Sequence, residues 1–145
     1  MTFLFDGYNY VVRLNRGERL SEALNDFMAD VELEGAAVSG IGAALEVELG
    51  FYDLEAQEYK WQVITRPLEI VSLLGTIALD EQNNPIFHLH GSLSDEQYQV
   101  MGGHVKDLVV GGTCELFIHR TFKPLHRTHD ADTGLNLLHL DNERP

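Results

Sequence analysis

Residues 35–53 read GAAVSGIGAALEVELGFYD. Apolar and small residues dominate, and Gly35, Gly40, Gly42 and Gly50 interrupt them, which predicts two extended pieces bent at glycines. The GIGA glycines open no helix, so the stretch does not carry the dinucleotide-binding fingerprint. Ser39 lies between apolar residues and Gly40 but lacks the strand, sharp turn and long helix of a nucleophile elbow, so it is not taken as a nucleophile.

The flanking segments extend the β pattern. Upstream, YNYVVRL (8–14) is rich in β-branched and aromatic residues and ends at the turn signal NRGE. Between that strand and Gly35, RLSEALNDFMADV places Leu20, Leu24, Phe27, Met28 and Val31 on one helical face. It is the chain's one convincing helix, and Gly35 is expected to mark its end. Downstream, EYKWQVIT (58–65) alternates, LEIVSLLGTIALD (68–80) reads as an apolar strand with a bulge at Gly75, and IFHLHGSLS (86–94) follows a turn. DEQYQVMGGH reads as a looser segment, and TCELFIHRTF (113–122) as a further strand. One helix among about seven strands predicts an α+β domain with a mostly antiparallel sheet. A single domain over 1–145 is expected, its core at about 8–122 and a polar surface tail at about 123–145.

Charge narrows the function classes. Ten basic residues against 23 acidic ones give a formal charge of −13. Nucleic-acid affinity comes from neutralising phosphates with Lys and Arg, so direct nucleic-acid binding is disfavoured. No apolar run approaches bilayer length, and the start MTFLFDGYNY lacks the basic, then apolar, layout of a signal peptide. The single cysteine, Cys114, falls in an apolar run that suggests a buried thiol. A cytoplasmic protein without membrane association is expected.

The histidines carry most of the chemical signal. His88 and His90 are two apart in a strand, so they face the same way with Cα atoms about 6–7 Å apart. Their imidazoles can then reach one ion at about 2.0–2.1 Å. Gly102 and Gly103 precede His104, and positive φ or close chain approach there gives a loop a way to present its imidazole. Three histidines without a nearby cysteine fit the three-ligand zinc pattern, though other divalent transition metals also accept imidazole. The competing reading is three ordinary surface or hydrogen-bonded histidines. His119 can face core or solvent by alternation, His126 and His129 read as solvated tail residues, and His139 as part of a short closing strand. Glu69, inside an apolar strand, is a candidate acid/base or a residue supporting the metal ligands. Its structural alternative is a salt bridge to Arg66 or a neighbouring chain.

Taken in order, SGIGAALEVELGFYD, LEIVSLLGTIALD, PIFHLHGSLSD, VMGGHV and TCELFI resemble the PPC (plants and prokaryotes conserved, also PCC) domain from about Tyr10 to Thr121. The trailing HDADTGLNLLHL also resembles the tail of bacterial members. The resemblance implies an α+β sheet domain with one packed helix that forms homotrimers. In some prokaryotic members it also implies a zinc ion held by histidines that match His88, His90 and His104. Plant members carry an AT-hook that binds DNA. This sequence has no Arg-Gly-Arg core, so the DNA association stands on fold-level analogy alone. The expectation is therefore a metal-binding homotrimer, with a zinc-dependent enzyme acting on a small-molecule ligand as the alternative and a DNA-associated protein as the third reading.

Overall fold

A computed structural model describes residues 1–141. Eight strands and one helix follow the order β1 (Thr2–Phe5), β2 (Tyr10–Asn15), α1 (Leu20–Val31), β3 (Ala36–Asp53), β4 (Glu58–Leu79), β5 (Pro85–Ser94), β6 (Val100–Arg120), β7 (His126–His129) and β8 (Asn136–His139). The α+β class, the largely antiparallel sheet and the single helix match the sequence expectation. The strand number rises to eight because short strands form at both ends of the chain.

The helix forms where the apolar stripe predicts it. Leu20, Ala23, Leu24, Phe27 and Met28 are buried against the sheet. Its start is capped from elsewhere: Arg19 offers no side-chain cap, and the Asp107 carboxylate on β6 accepts the Ser21 N–H at 3.0 Å. Its end differs from expectation. The helix stops at Val31 because Glu32 takes the left-handed conformation (φ 49°), and Gly35 instead packs beneath Thr121 and Leu125.

The sheet is built from strands longer than the sequence suggests. Residues 36–53 form one strand, not two, because the irregularities fall where the register shifts, at Gly40–Gly42 and Ala44–Glu46. β4 likewise runs straight through Arg66 and Pro67. A proline cannot donate to a ladder, but here the β3–β4 register jumps from Glu46↔Thr65 to Ala44↔Leu68, so Pro67 occupies the bulge. Gly75 is no bulge: it pairs regularly with Val38 and Leu89, and the β4–β5 shift falls at Ile70–Ser72 instead. A Cβ on Gly75 would lie 2.0 Å from the His88 carbonyl oxygen, so close strand approach explains the glycine.

Pairing closes a ring. β3 pairs with β4 and β6, and β5 pairs with the same two strands. On β6 alternate residues point inward, with Cys114, Leu116 and Ile118 buried against Glu115, Phe117 and His119 outward. The inward set joins Leu14, Phe27, Leu73, Ile77, Leu89 and Leu93 in one core. Each such aliphatic residue contributes about 1.5–3 kcal/mol by leaving water. No helix of the described residues is long and apolar enough to cross a membrane.

Candidate functional site

The outward residues of β5 and β6 build the site. His88 and His90 alternate with buried Leu89, and the β5–β6 ladder puts His90 directly opposite His104. His104 therefore stands on a strand rather than a loop, since β6 begins at Val100. Its two preceding glycines do not take positive φ. They permit close packing instead: a Cβ on Gly102 would meet the Gly91 carbonyl oxygen at 2.4 Å, and one on Gly103 the Gly50 carbonyl oxygen at 2.8 Å.

The three imidazoles form a nearly equilateral triangle, with ring centroids 5.2, 5.3 and 5.4 Å apart. One ligand nitrogen from each lies within 4.8 Å of the others. The Nε2 atoms of His88 and His90 are 3.3 Å apart. Two nitrogens each about 2.0–2.1 Å from a tetrahedral ion are separated by about that distance. Facing imidazole lone pairs repel unless a proton or a cation lies between them, and His104 Nδ1 is buried without a partner among the described residues. The donor set and its spacing therefore fit a transition-metal ion.

Burial tunes these rings toward the neutral form that a metal requires. His104 is lowered to about 4 by desolvation first, then by the charges of His88, His90 and Arg127. His88 is lowered by desolvation, then by Arg127 and His90. Both thus stay neutral, with a lone pair free, at pH values where an ordinary histidine is protonated.

An aromatic wall adjoins the triangle. Gly50 on β3 pairs with Trp61 on one side and His104 on the other. Without a side chain at Gly50, the Trp61 and Tyr59 rings lie across it, stacked on each other at 4.5 Å, with Tyr59 5.0 Å from the His104 ring. Burial raises the Tyr59 hydroxyl's pKa, with a smaller push from Tyr52 and an opposing pull from Arg127.

The opposite wall comes from the C-terminal segment, which holds a hairpin. β7 and β8 pair with each other, and β7 joins β4 through Leu79↔His126. The Tyr52 hydroxyl donates to the Thr133 carbonyl (2.7 Å), and Gln57 Nε2 to the Asp132 carbonyl (3.0 Å). Between the walls lies a pocket of about 540 Å³, lined by His88, His104, Tyr59, Trp61, Arg127 and Glu58, among others. That volume is in the range of small-molecule sites.

Residues outside the triangle fall differently. Glu69 is exposed, pairs in register with Ser94, and borders two other surface depressions with no histidine in their lining. Arg66 makes its ion pair with Asp95, at 3.4 Å. Among the described residues the carboxylate lining the pocket is Glu58. His119, His126 and His139 are exposed; His139 belongs to β8, and His129 is exposed at the pocket. Sequence reasoning missed Arg127, Tyr59 and Trp61. Alternation in EYKWQVIT puts Tyr59 and Trp61 on one face and could have flagged them. Nothing local marks Arg127, whose burial comes from the hairpin packing onto β4.

Comparison with known proteins is consistent with this architecture. A metal-containing protein from Archaeoglobus fulgidus is 31% identical, with a TM-score of 0.84 over 97% of this chain and 99% of its own. A plant- and prokaryote-conserved (PPC) protein from Pyrococcus horikoshii is 28% identical, with a TM-score of 0.84 over 98% and 97%. A candidate DNA-binding protein from Bacteroides thetaiotaomicron is 25% identical, with a TM-score of 0.90 over 95% and 96%. No curated protein matches the sequence. The Plants and Prokaryotes Conserved (PCC) domain matches residues 3–121, and the chain belongs to that family.

Proposed function

We propose that the protein is a homotrimeric, metal-binding PPC-family protein in which His88, His90 and His104 hold one zinc ion per chain beside a small-molecule pocket. The convergence of three imidazole nitrogens within 4.8 Å carries the reading. Imidazole donors suit several divalent ions, and zinc is chosen by its availability and by the family resemblance rather than by the spacing. The metal-containing relative from Archaeoglobus fulgidus supports a metal here. When bound, the ion would act as a Lewis acid toward an oxygen-bearing group of a pocket ligand.

The trimer reading draws on the family and on exposed apolar side chains next to the site. Leu74, Ser39 and Phe117 pair in a row across β4, β3 and β6, and Leu74 pairs in turn with His90. Leu74 and Phe117 remain 54% and 49% exposed, with Ile41 and Val71 also outward. Apolar exposure of this kind marks an interaction surface.

Metal analysis after metal-replete purification tests the site. About one zinc per chain is expected, with loss in the His88→Ala/His90→Ala variant; content well below one per chain in the unmodified protein overturns the reading. Light scattering tests the trimer, and Leu74→Asp/Phe117→Asp is expected to give monomers.

A zinc-dependent enzyme acting on a small molecule is the second reading, favoured by the pocket and by Glu58 at its rim. The DNA-binding reading, which the Bacteroides relative raises, runs against the charge of −13.

A further inference from the structure

Arg127 is 6% exposed, yet no carboxylate pairs with it among the described residues. Its Nη1 donates to the Asn136 carbonyl and its Nη2 to Thr76 Oγ1, both at 2.9 Å, and both acceptors are neutral. Its Nε–H is buried with no partner. A guanidinium stays charged in proteins. Burying that charge without a counter-charge is unfavourable, and no described residue supplies the anion that would offset it.

We propose that Arg127 anchors the carboxylate of a small organic acid bound in the pocket. Arg127 lines the same cavity as His88 and His104, and the stacked Tyr59 and Trp61 rings form its aromatic wall. The planar guanidinium fork matches a carboxylate, and the wall matches the flat or apolar body of a small acid. In the metal-free protein one buried cation balances one negative charge. A phosphate dianion would meet added repulsion from Glu58 at the rim and from a protein of net charge −13. Thr76 and Asn136 fix the orientation of the fork, which makes them positioning residues for this contact. The inference deepens the small-molecule part of the proposed function, but the Arg127 contact itself does not require the metal.

The chain has a single tryptophan, so Trp61 emission reports directly on the pocket. The experiment titrates benzoate, pyruvate and inorganic phosphate into the full-length protein, metal-free and zinc-loaded, following Trp61 emission and calorimetric heat. A carboxylate is expected to bind, and Arg127→Gln to weaken it by at least about tenfold while circular dichroism and zinc content stay unchanged. Should Arg127→Gln fail to fold, Thr76→Val removes one tether of the fork and is expected to weaken binding about threefold or more. Carboxylate binding that depends on Arg127 in a protein found to take no zinc supports this inference while sinking the metal reading. Three results overturn it: no response to either carboxylate up to about 10 mM, equal affinity in a folded Arg127→Gln variant, or phosphate bound by the metal-free protein as tightly as the carboxylates.

Discussion

Trp61 and His104 face each other across the bare backbone of Gly50, their ring centroids 5.9 Å apart. The contact depends on a missing side chain, because a Cβ on Gly50 would lie 2.6 Å from Trp61 Cζ3 and 2.9 Å from Tyr59 Cδ1. Gly50→Val should therefore displace both rings and loosen His104. The expected outcome is a loss of about 1–3 kcal/mol in denaturant melts, a red-shifted Trp61 emission and weaker zinc binding. An unchanged emission spectrum would show that the aromatic wall does not need the glycine.

Metal and fold should separate cleanly. His90 is exposed and belongs to a strand paired along both edges, so in the metal-free protein His90→Ala should shift stability by no more than about 0.5 kcal/mol, and it should abolish stoichiometric zinc. Chelation of the unmodified protein should likewise leave its far-ultraviolet circular dichroism intact, unlike a zinc finger. Unfolding on chelation would show that the core does not stand without the ion.

Cys114 gives the alkaline limit. Burial first, and Glu115 second, push its thiol up to about 12. The folded pKa is raised above the ordinary thiol value near 9, so this contribution to stability is complete below pH 9 and is lost as pH rises from 9 toward 12. Thiol alkylation at pH 8 should be slow in the native protein and fast in denaturant; rapid native labelling would contradict the buried, protonated thiol.

The borrowed helix cap can be weighed against its ion pair. Asp107→Ala removes the acceptor for the Ser21 N–H and should cost about 1 kcal/mol, or about 2–4 °C in Tm. Arg19 also contacts Asp107 at 3.1 Å and Glu46 at 3.2 Å, but its side chain is 43% exposed, so Arg19→Met should cost clearly less than Asp107→Ala. Equal losses in the two variants would mean that the salt bridge, rather than the cap, holds the helix start.

How far the sequence could be read follows from the range of the forces involved. Local periodicity revealed α1 through Leu20, Leu24 and Phe27, and strand alternation paired His88 with His90. Longer-range arrangements were less visible. His104 was tied to the pair by the family resemblance and by its glycines, read as allowing positive φ or close chain approach, and it is the close approach, to Gly91 and Gly50, that the backbone takes. Pro67 fell between the strands expected at 58–65 and 68–80, because the β3 bulge that accommodates it lies over twenty residues away in sequence. Glu69 drew notice as an acid among apolar residues, yet alternation turns it outward, next to Ser94 in the ladder. Arg127 could not be found at all, since its burial depends on where the β7–β8 hairpin lands.

β5 serves two masters at a spacing of one residue: Leu89 and Leu93 hold the core, while His88 and His90 face the site. A substitution alters one role and can leave the other intact. An insertion or deletion of one residue before Leu89, with the ladder kept in place, would exchange the two faces and drive imidazoles into the core. This segment should therefore admit changes of residue far more readily than changes of length.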